Sequence, residues 1–287
     1  MTYDDALDAA ISISNSNGDA TAELVQISEL TISKMYSAQS LSEDGLTIYW
    51  DGPDTQIWTA KRKTGDARFS DQTSLQINGR HPTLSADELE LVFISARSDG
   101  KKGESLHSAK RSRKDEPFRR PTEIAELLDK SGKSTNKNPF LSADGLTLYF
   151  NVFTDDKKVS AQLSTRSSAK EKWSKPKPLP VSQKEEVYLN WPFVSSDGCF
   201  MLCFEVDKEK KSRLTAWRRD SITEQFVRQQ EVTISDGESI SGRCARYVPA
   251  TKELFFAGNI DSESGARMSC ITNFDSLVPF CPKANSK

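Results

Sequence analysis

The residues best suited to chemistry are few and widely spread. There are two histidines, His81 and His107, and five cysteines, at 199, 203, 244, 270 and 281. A zinc site takes about four N, S or O ligands. Glu104 precedes His107 by three residues, but no further ligand joins them locally and no CxxC pair exists. Cys199 and Cys203 share a strand face about 13 Å apart, too far for a disulfide, and read as small core residues. A Cys244–Cys270 disulfide stays open for an exported chain. Asp155-Asp156 and Asp261-Ser262-Glu263 are weak calcium candidates that read better as solvated loop acids. No GxSxG, P-loop or HExxH motif is present. Neither a metal nor a cofactor is expected.

A second set suits recognition rather than catalysis. Asn78, Arg80, His81, Asn138, Tyr188, Asn190, Trp191, Arg243 and Arg246 each precede or open a predicted strand. Asp51, Arg97, Asn151 and Asn259 lie in loops that return to the same end. Trp, Tyr, Asn and Arg together supply stacking surfaces and amide hydrogen bonds, as a glycan or peptide site needs. The competing reading is structural: they satisfy inner-strand backbone and line a water-filled channel. A glycosidase needs paired carboxylates. These strand entrances hold none, although Glu185, Glu186 and Glu238 are near.

A repeat is what would bring these residues together. Leu141-Ser142-Ala143-Asp144-Gly145-Leu146-Thr147-Leu148-Tyr149-Phe150 combines a turn with a strand. Short Ser and Asp side chains bond nearby amides, and Gly accepts positive φ. Leu146, Leu148 and Phe150 then alternate with Thr147 and Tyr149, which is the period of a strand. Copies begin at Ser42, Ser85 and Ser195, and a degraded one places Pro249 in the Ser position; the steps are 43, 57, 53 and 54 residues. Each copy is followed by a third strand, such as Gln56 to Lys61 or Arg213 to Arg218, and four by an extended fourth piece. Such a period, with four strands and no helix, describes a propeller blade.

The pattern Pro-x-x-Ser-x-Asp-Gly-x-x-x-Tyr/Phe, clearest from Pro139 to Phe150, resembles the WD40-like repeat of bacterial propellers related to the propeller domain of TolB. The resemblance spans roughly residues 24 to 275. The five copies, with four strands in each repeat, give an all-β fold: one propeller of five four-stranded blades, with hairpins near 36–50, 80–93, 138–150, 190–203 and 244–256. Residues 24 to 30 alternate like a fourth strand and are expected to close the ring on blade five, because no fourth strand follows Arg267 to Thr272. Residues 1–23 form a polar extension in which Ala6 to Ile13 suggests a short helix, and 276–287 form a tail.

The chain has 287 residues, 39 basic and 41 acidic, for a net charge of −2. That balance gives no case for nucleic acid or a membrane surface. No apolar run approaches the ~18 residues of a spanning helix. Basic clusters at Lys61-Arg62-Lys63, at Lys110 to Lys114 and at Lys208 to Lys211 read as solvated blade edges. The N-terminus has no signal-peptide pattern. A cytoplasmic location is expected if Met1 is the native start, and export if a segment precedes it, as the resemblance favours. The resulting expectation is a monomeric, non-catalytic propeller that binds a protein, peptide or glycan; the alternative is a propeller enzyme acting on a glycan.

Overall fold

In a computed structural model, residues 11–14, 20–30, 38–182, 187–233, 239–258 and 267–278 are described. Two short strands come first, β1 (Ile11–Ser14) and β2 (Ala20–Gln26). Blade one is β3 (Gln39–Leu41), β4 (Thr47–Asp51), β5 (Gln56–Lys61) and β6 (Ser70–Asn78). Blade two is β7 (Arg80–Leu84), β8 (Glu90–Ala96), β9 (Glu104–Lys110) and β10 (Thr122–Glu123). Blade three is β11 (Ser134–Leu141), β12 (Thr147–Thr154), β13 (Val159–Thr165) and β14 (Lys177–Pro178). Blade four is β15 (Tyr188–Val194), β16 (Phe200–Val206), β17 (Ser212–Arg218) and β18 (Val227–Glu231). Blade five is β19 (Arg243–Val248), β20 (Glu253–Gly258) and β21 (Arg267–Thr272), onto which β2 and then β1 pair. The five sheets form one five-bladed propeller, with inner strands β3, β7, β11, β15 and β19 each beside the next around the ring.

An N-terminal strand closes the ring. Glu23 to Gln26 pair antiparallel with Thr272 to Ser269, and Ile27 donates to the Met268 carbonyl. The closing strand therefore runs a few residues ahead of 24 to 30. Leu24 fits because it drops into the core between Ile271 and its neighbours, 3% exposed. Ile11 to Ile13 belong to a strand on the outer edge of β2 rather than to a helix; Ala6 to Ala10 lie outside the described residues.

The Ser-x-Asp turn has a local cause that repeats in four blades. Ser142 Oγ donates to Asp144 Oδ1 at 2.6 Å, and Asp144 Oδ1 accepts Leu146 N–H at 2.9 Å. Thr147 N–H returns to Ser142 Oγ at 2.8 Å. The same three bonds recur at Ser42–Asp44, Ser85–Asp87 and Ser195–Asp197. Gly145 sits at φ +70° to turn the chain. In blade five Val248 pairs with Glu253 and Tyr247 with Leu254, so Val248, not Pro249, takes the serine position. Asp144→Ala should lower the unfolding free energy by about 0.5–2 kcal/mol, the range for losing a local side-chain cap. Urea denaturation checks this; an unchanged midpoint would contradict it.

Blade seams are held by arginines that follow the third strands. Arg62, Arg111, Arg166 and Arg219 each donate Nε to a turn carbonyl of their own blade, at 2.7–2.9 Å. Each also lies over an aromatic ring seven residues on: Phe69, Phe118, Trp173 and Phe226, 4.2–4.8 Å from the ring centre. The guanidinium then reaches the preceding blade, to Glu253, Tyr49, Glu90 and Tyr149 respectively. Arg62 and Arg111 thus depart from the expectation of solvated edge residues, because their heads satisfy buried carbonyls and carboxylates.

Cys203, Cys244 and Cys270 are buried, and Cys199, Cys203, Cys244 and Cys270 are all free thiols. Cys244 and Cys270 do not pair: Cys244 Sγ donates to the Gln39 carbonyl at 3.1 Å, while Cys270 packs with Phe255 and Met268. His107 stacks on Phe93 at 5.9 Å and bonds the Ala96 carbonyl at 3.1 Å, which is a core role. Asp156 is spent on Lys158 at 2.7 Å; Asp261 to Glu263 lie outside the described residues.

Candidate functional site at the mouth of the ring

The inner strands impose a layered arrangement on the axis. β7, β11, β15 and β19 all contain a bulge, with register shifts at 80/83, 137/140, 190/193 and 243/246. At each bulge a non-glycine residue takes positive φ: His81, Asn138, Trp191 and Cys244, all near +55°. Such backbone is costly and persists only where its surroundings fix it. Two blades fix it alike. Asp51 Oδ1 accepts His81 N–H at 2.6 Å, and Asn151 Oδ1 accepts Trp191 N–H at 3.2 Å. In both cases the fifth residue of one blade's second strand holds the bulge of the next blade.

The bulge residues form a packed floor. His81 of blade two and Trp191 of blade four meet across the axis, with ring centroids 4.5 Å apart. They are 6% exposed each; Asn138 and Cys244 are more deeply buried. Asn138 donates to Asn190 Oδ1 at 2.6 Å, and Asn151 donates to the Leu189 carbonyl at 2.7 Å. Gln39 donates to the Cys244 carbonyl at 2.8 Å. Arg246 lies beneath this floor, over the Phe140 ring at 4.8 Å. The axis is therefore filled by side chains rather than open, as small barrels and rings favour.

Above the floor lies one ring position. The residue before each bulge is Arg80, Lys137, Asn190 or Arg243, and all four are half-buried. Arg80 pairs with Glu104, and Lys137 Nζ lies 3.6 Å from the same carboxylate. Tyr188 is half-buried beside them, and Asn78 is exposed where β6 ends. Arg97 is turned away, bound to Asp99 and to the Asp129 carbonyl. Asn259 lies outside the described residues. The structure thus splits the sequence candidates between rim (Asn78, Arg80, Tyr188, Asn190, Arg243) and floor (His81, Asn138, Trp191), with Arg246 below. Lys137 was missed. Its signal is positional: it lies five residues before the turn serine Ser142, as Arg80 and Asn190 lie before Ser85 and Ser195.

Electrostatics separate floor from rim. Burial pushes Asp51 well above the usual carboxylate range, only partly opposed by His81 N–H, Arg80 and Arg243. Burial, then Arg80 and Lys137, hold His81 well below its ordinary value, so its ring is neutral near pH 7. Asp51 is the one buried carboxylate facing the axis among the described residues. Glu88, Glu90 and Glu253 serve the blade seams, and Glu205 holds Arg228 of β18 at 2.8 Å.

Asp51→Asn should raise stability at neutral pH. The amide oxygen keeps the His81 N–H, as Asn151 keeps Trp191 N–H, and the cost of burying a charge disappears. Folded Asp51 has its pKa raised above 3.8, so its contribution erodes stability as pH climbs from that value. The gain should therefore vanish near pH 3 and grow towards pH 7 in thermal melts. A variant that melts lower at pH 7 would contradict this assignment.

No family model matches the sequence, and no curated protein sequence matches it. Solved structures do match. TolB from Acinetobacter baumannii superposes with a TM-score of 0.53 at 12% identity, over 92% of this chain and 63% of that one. The chain thus spans less than two thirds of that TolB. The chain has a TolB-like propeller fold. A putative TolB from Agrobacterium tumefaciens gives 0.51 at 13% identity, over 85% and 78%. A thermostable family-43 glycoside hydrolase gives 0.55 at 11%, over 82% and 88%. The TolB-like ring is therefore a scaffold shared with at least one hydrolase fold, and its function rests on the site itself. No helix among the described residues is long and apolar enough to cross a membrane.

Proposed function

We propose that this chain is a non-catalytic binding module whose ligand, a peptide or glycan, sits in the mouth of the ring. One observation carries the reading. Four blades contribute half-buried polar residues at one ring position, over a floor closed by the His81–Trp191 ring contact. A polar bowl on a rigid floor suits recognition: rim groups stay available to a ligand while the bulges below are fixed by neighbouring blades. In this reading Tyr188 supplies the aromatic contact, Asn78 the exposed amide, and Arg80, Lys137 and Arg243 the charges. Trp191 supports the floor and does not touch the ligand.

The competing reading is an enzyme acting on a glycan, drawn from the likeness to the family-43 glycoside hydrolase. Its chemistry needs two carboxylates about 5–10 Å apart. Among the described residues the mouth holds Asp51, buried and held towards its neutral form, and Glu104, divided between Arg80 and Lys137, so neither carboxylate is left free to act as acid or base. Peptide and glycan arrays, followed by chromatography of any bound glycan, distinguish the two. Retention without cleavage is expected. Glycan cleavage that disappears in Asp51→Asn would overturn the binding reading.

A further inference from the structure

Charge is unevenly spread at the mouth. Arg80, Lys137, Arg243 and Arg246 all act on His81, from blades two, three and five. Two carboxylates among the described residues face them. Glu104 is divided between Arg80 and Lys137. Asp51 is 2% exposed, with one oxygen on His81 N–H, and burial favours its neutral form. Among the described residues, three rim cations and Arg246 beneath the floor thus meet one full negative charge, in a chain whose net charge is −2.

Arg246 makes the imbalance sharper. It is 4% exposed, yet its partners are the Ala245 and Pro139 carbonyls and the Phe140 ring. Its Nε has no partner among the described residues, and no carboxylate there pairs with it. A buried cation is ordinarily paired; Arg62, Arg111 and Arg166 of the same ring are. The guanidinium of Arg243, at the rim above, makes no ion pair or hydrogen bond among the described residues.

We propose that the mouth takes an acidic peptide, seating a carboxylate between Arg243 and Lys137 above the His81–Trp191 contact. The guanidinium fork of Arg243 suits a carboxylate, and Lys137 adds a point charge. Asn78 offers amide bonds to peptide backbone, and Tyr188 offers a ring. The proposal rests on the mouth being the binding surface.

Calorimetric titration of the intact protein with acetylated hexaglutamate amide, and with its hexaglutamine counterpart, tests it. Hexaglutamate should bind, more weakly as salt rises from about 0.05 to 0.3 M, and hexaglutamine should not. Arg243→Ala and Lys137→Ala should each weaken binding roughly tenfold, the loss of one charge-assisted hydrogen bond, at an unchanged melting temperature. Equal binding of both peptides, or hexaglutamate binding indifferent to both substitutions, overturns the proposal. If hexaglutamate fails to bind while a neutral array-selected peptide is lost on Tyr188→Ala, the acidic class falls and the mouth stands. If no mouth substitution alters any ligand, the mouth itself falls.

Discussion

Trp191→Ala is expected to lower the unfolding free energy by about 3–5 kcal/mol, the cost of emptying a buried aromatic site. Trp191 is 6% exposed and packs against His81 across the axis, so no single blade can collapse into the space it leaves. Tyr188→Ala, three residues away and half-buried at the rim, should cost under about 1.5 kcal/mol. Urea denaturation of both variants measures the contrast. Equal, small losses would mean that the axis is not packed and that Trp191 is free to meet a ligand.

The second large effect concerns the blade seams. Glu90 is 5% exposed, pairs with Arg166 of the next blade, and accepts Ser108 Oγ at 2.9 Å. Glu90→Ala leaves a guanidinium with 2% exposure and no carboxylate, at a cost of about 3–5 kcal/mol. Replacing both partners, Glu90→Leu with Arg166→Leu, should cost markedly less than Glu90→Ala, because no buried charge is then stranded. A double variant weaker than Glu90→Ala would show that the carbonyl bonds of Arg166, rather than its charge, hold the seam.

Much of the fold was legible because its signals are local. The Ser-x-Asp turn is built from bonds spanning five residues, so four copies could be read directly. Blade five was placed one residue late because Val248-Pro249-Ala250 carries none of those side chains. The closing strand was placed late for another reason: residues 24 to 30 alternate, but their register is set by a partner about 245 residues away. The seam arginines escaped notice among neighbouring lysines. Their spacing of seven to Phe69, Phe118, Trp173 and Phe226 was nevertheless in the sequence.

The site was less legible. Counting back from the turn serines finds the ring position shared by Arg80, Lys137 and Asn190. Nothing local says that His81 and Trp191, 110 residues apart, touch across the axis. Whether a channel is open or filled depends on side-chain volumes from non-adjacent blades, which no single repeat encodes. Trp191 and Arg246 therefore read as funnel residues although one is floor and the other lies beneath it.

The most direct test of the mouth as binding surface is calorimetry with an array-selected ligand and two double variants. Tyr188→Ala with Arg243→Ala alters the rim. Arg113→Ala with Asp115→Ala alters an exposed blade edge, where both side chains are more than 60% exposed. The rim variant should bind at least about tenfold more weakly, and the edge variant like the wild type. Wild-type affinity in the rim variant, with loss in the edge variant, would contradict the account and move the ligand to the outside of the ring.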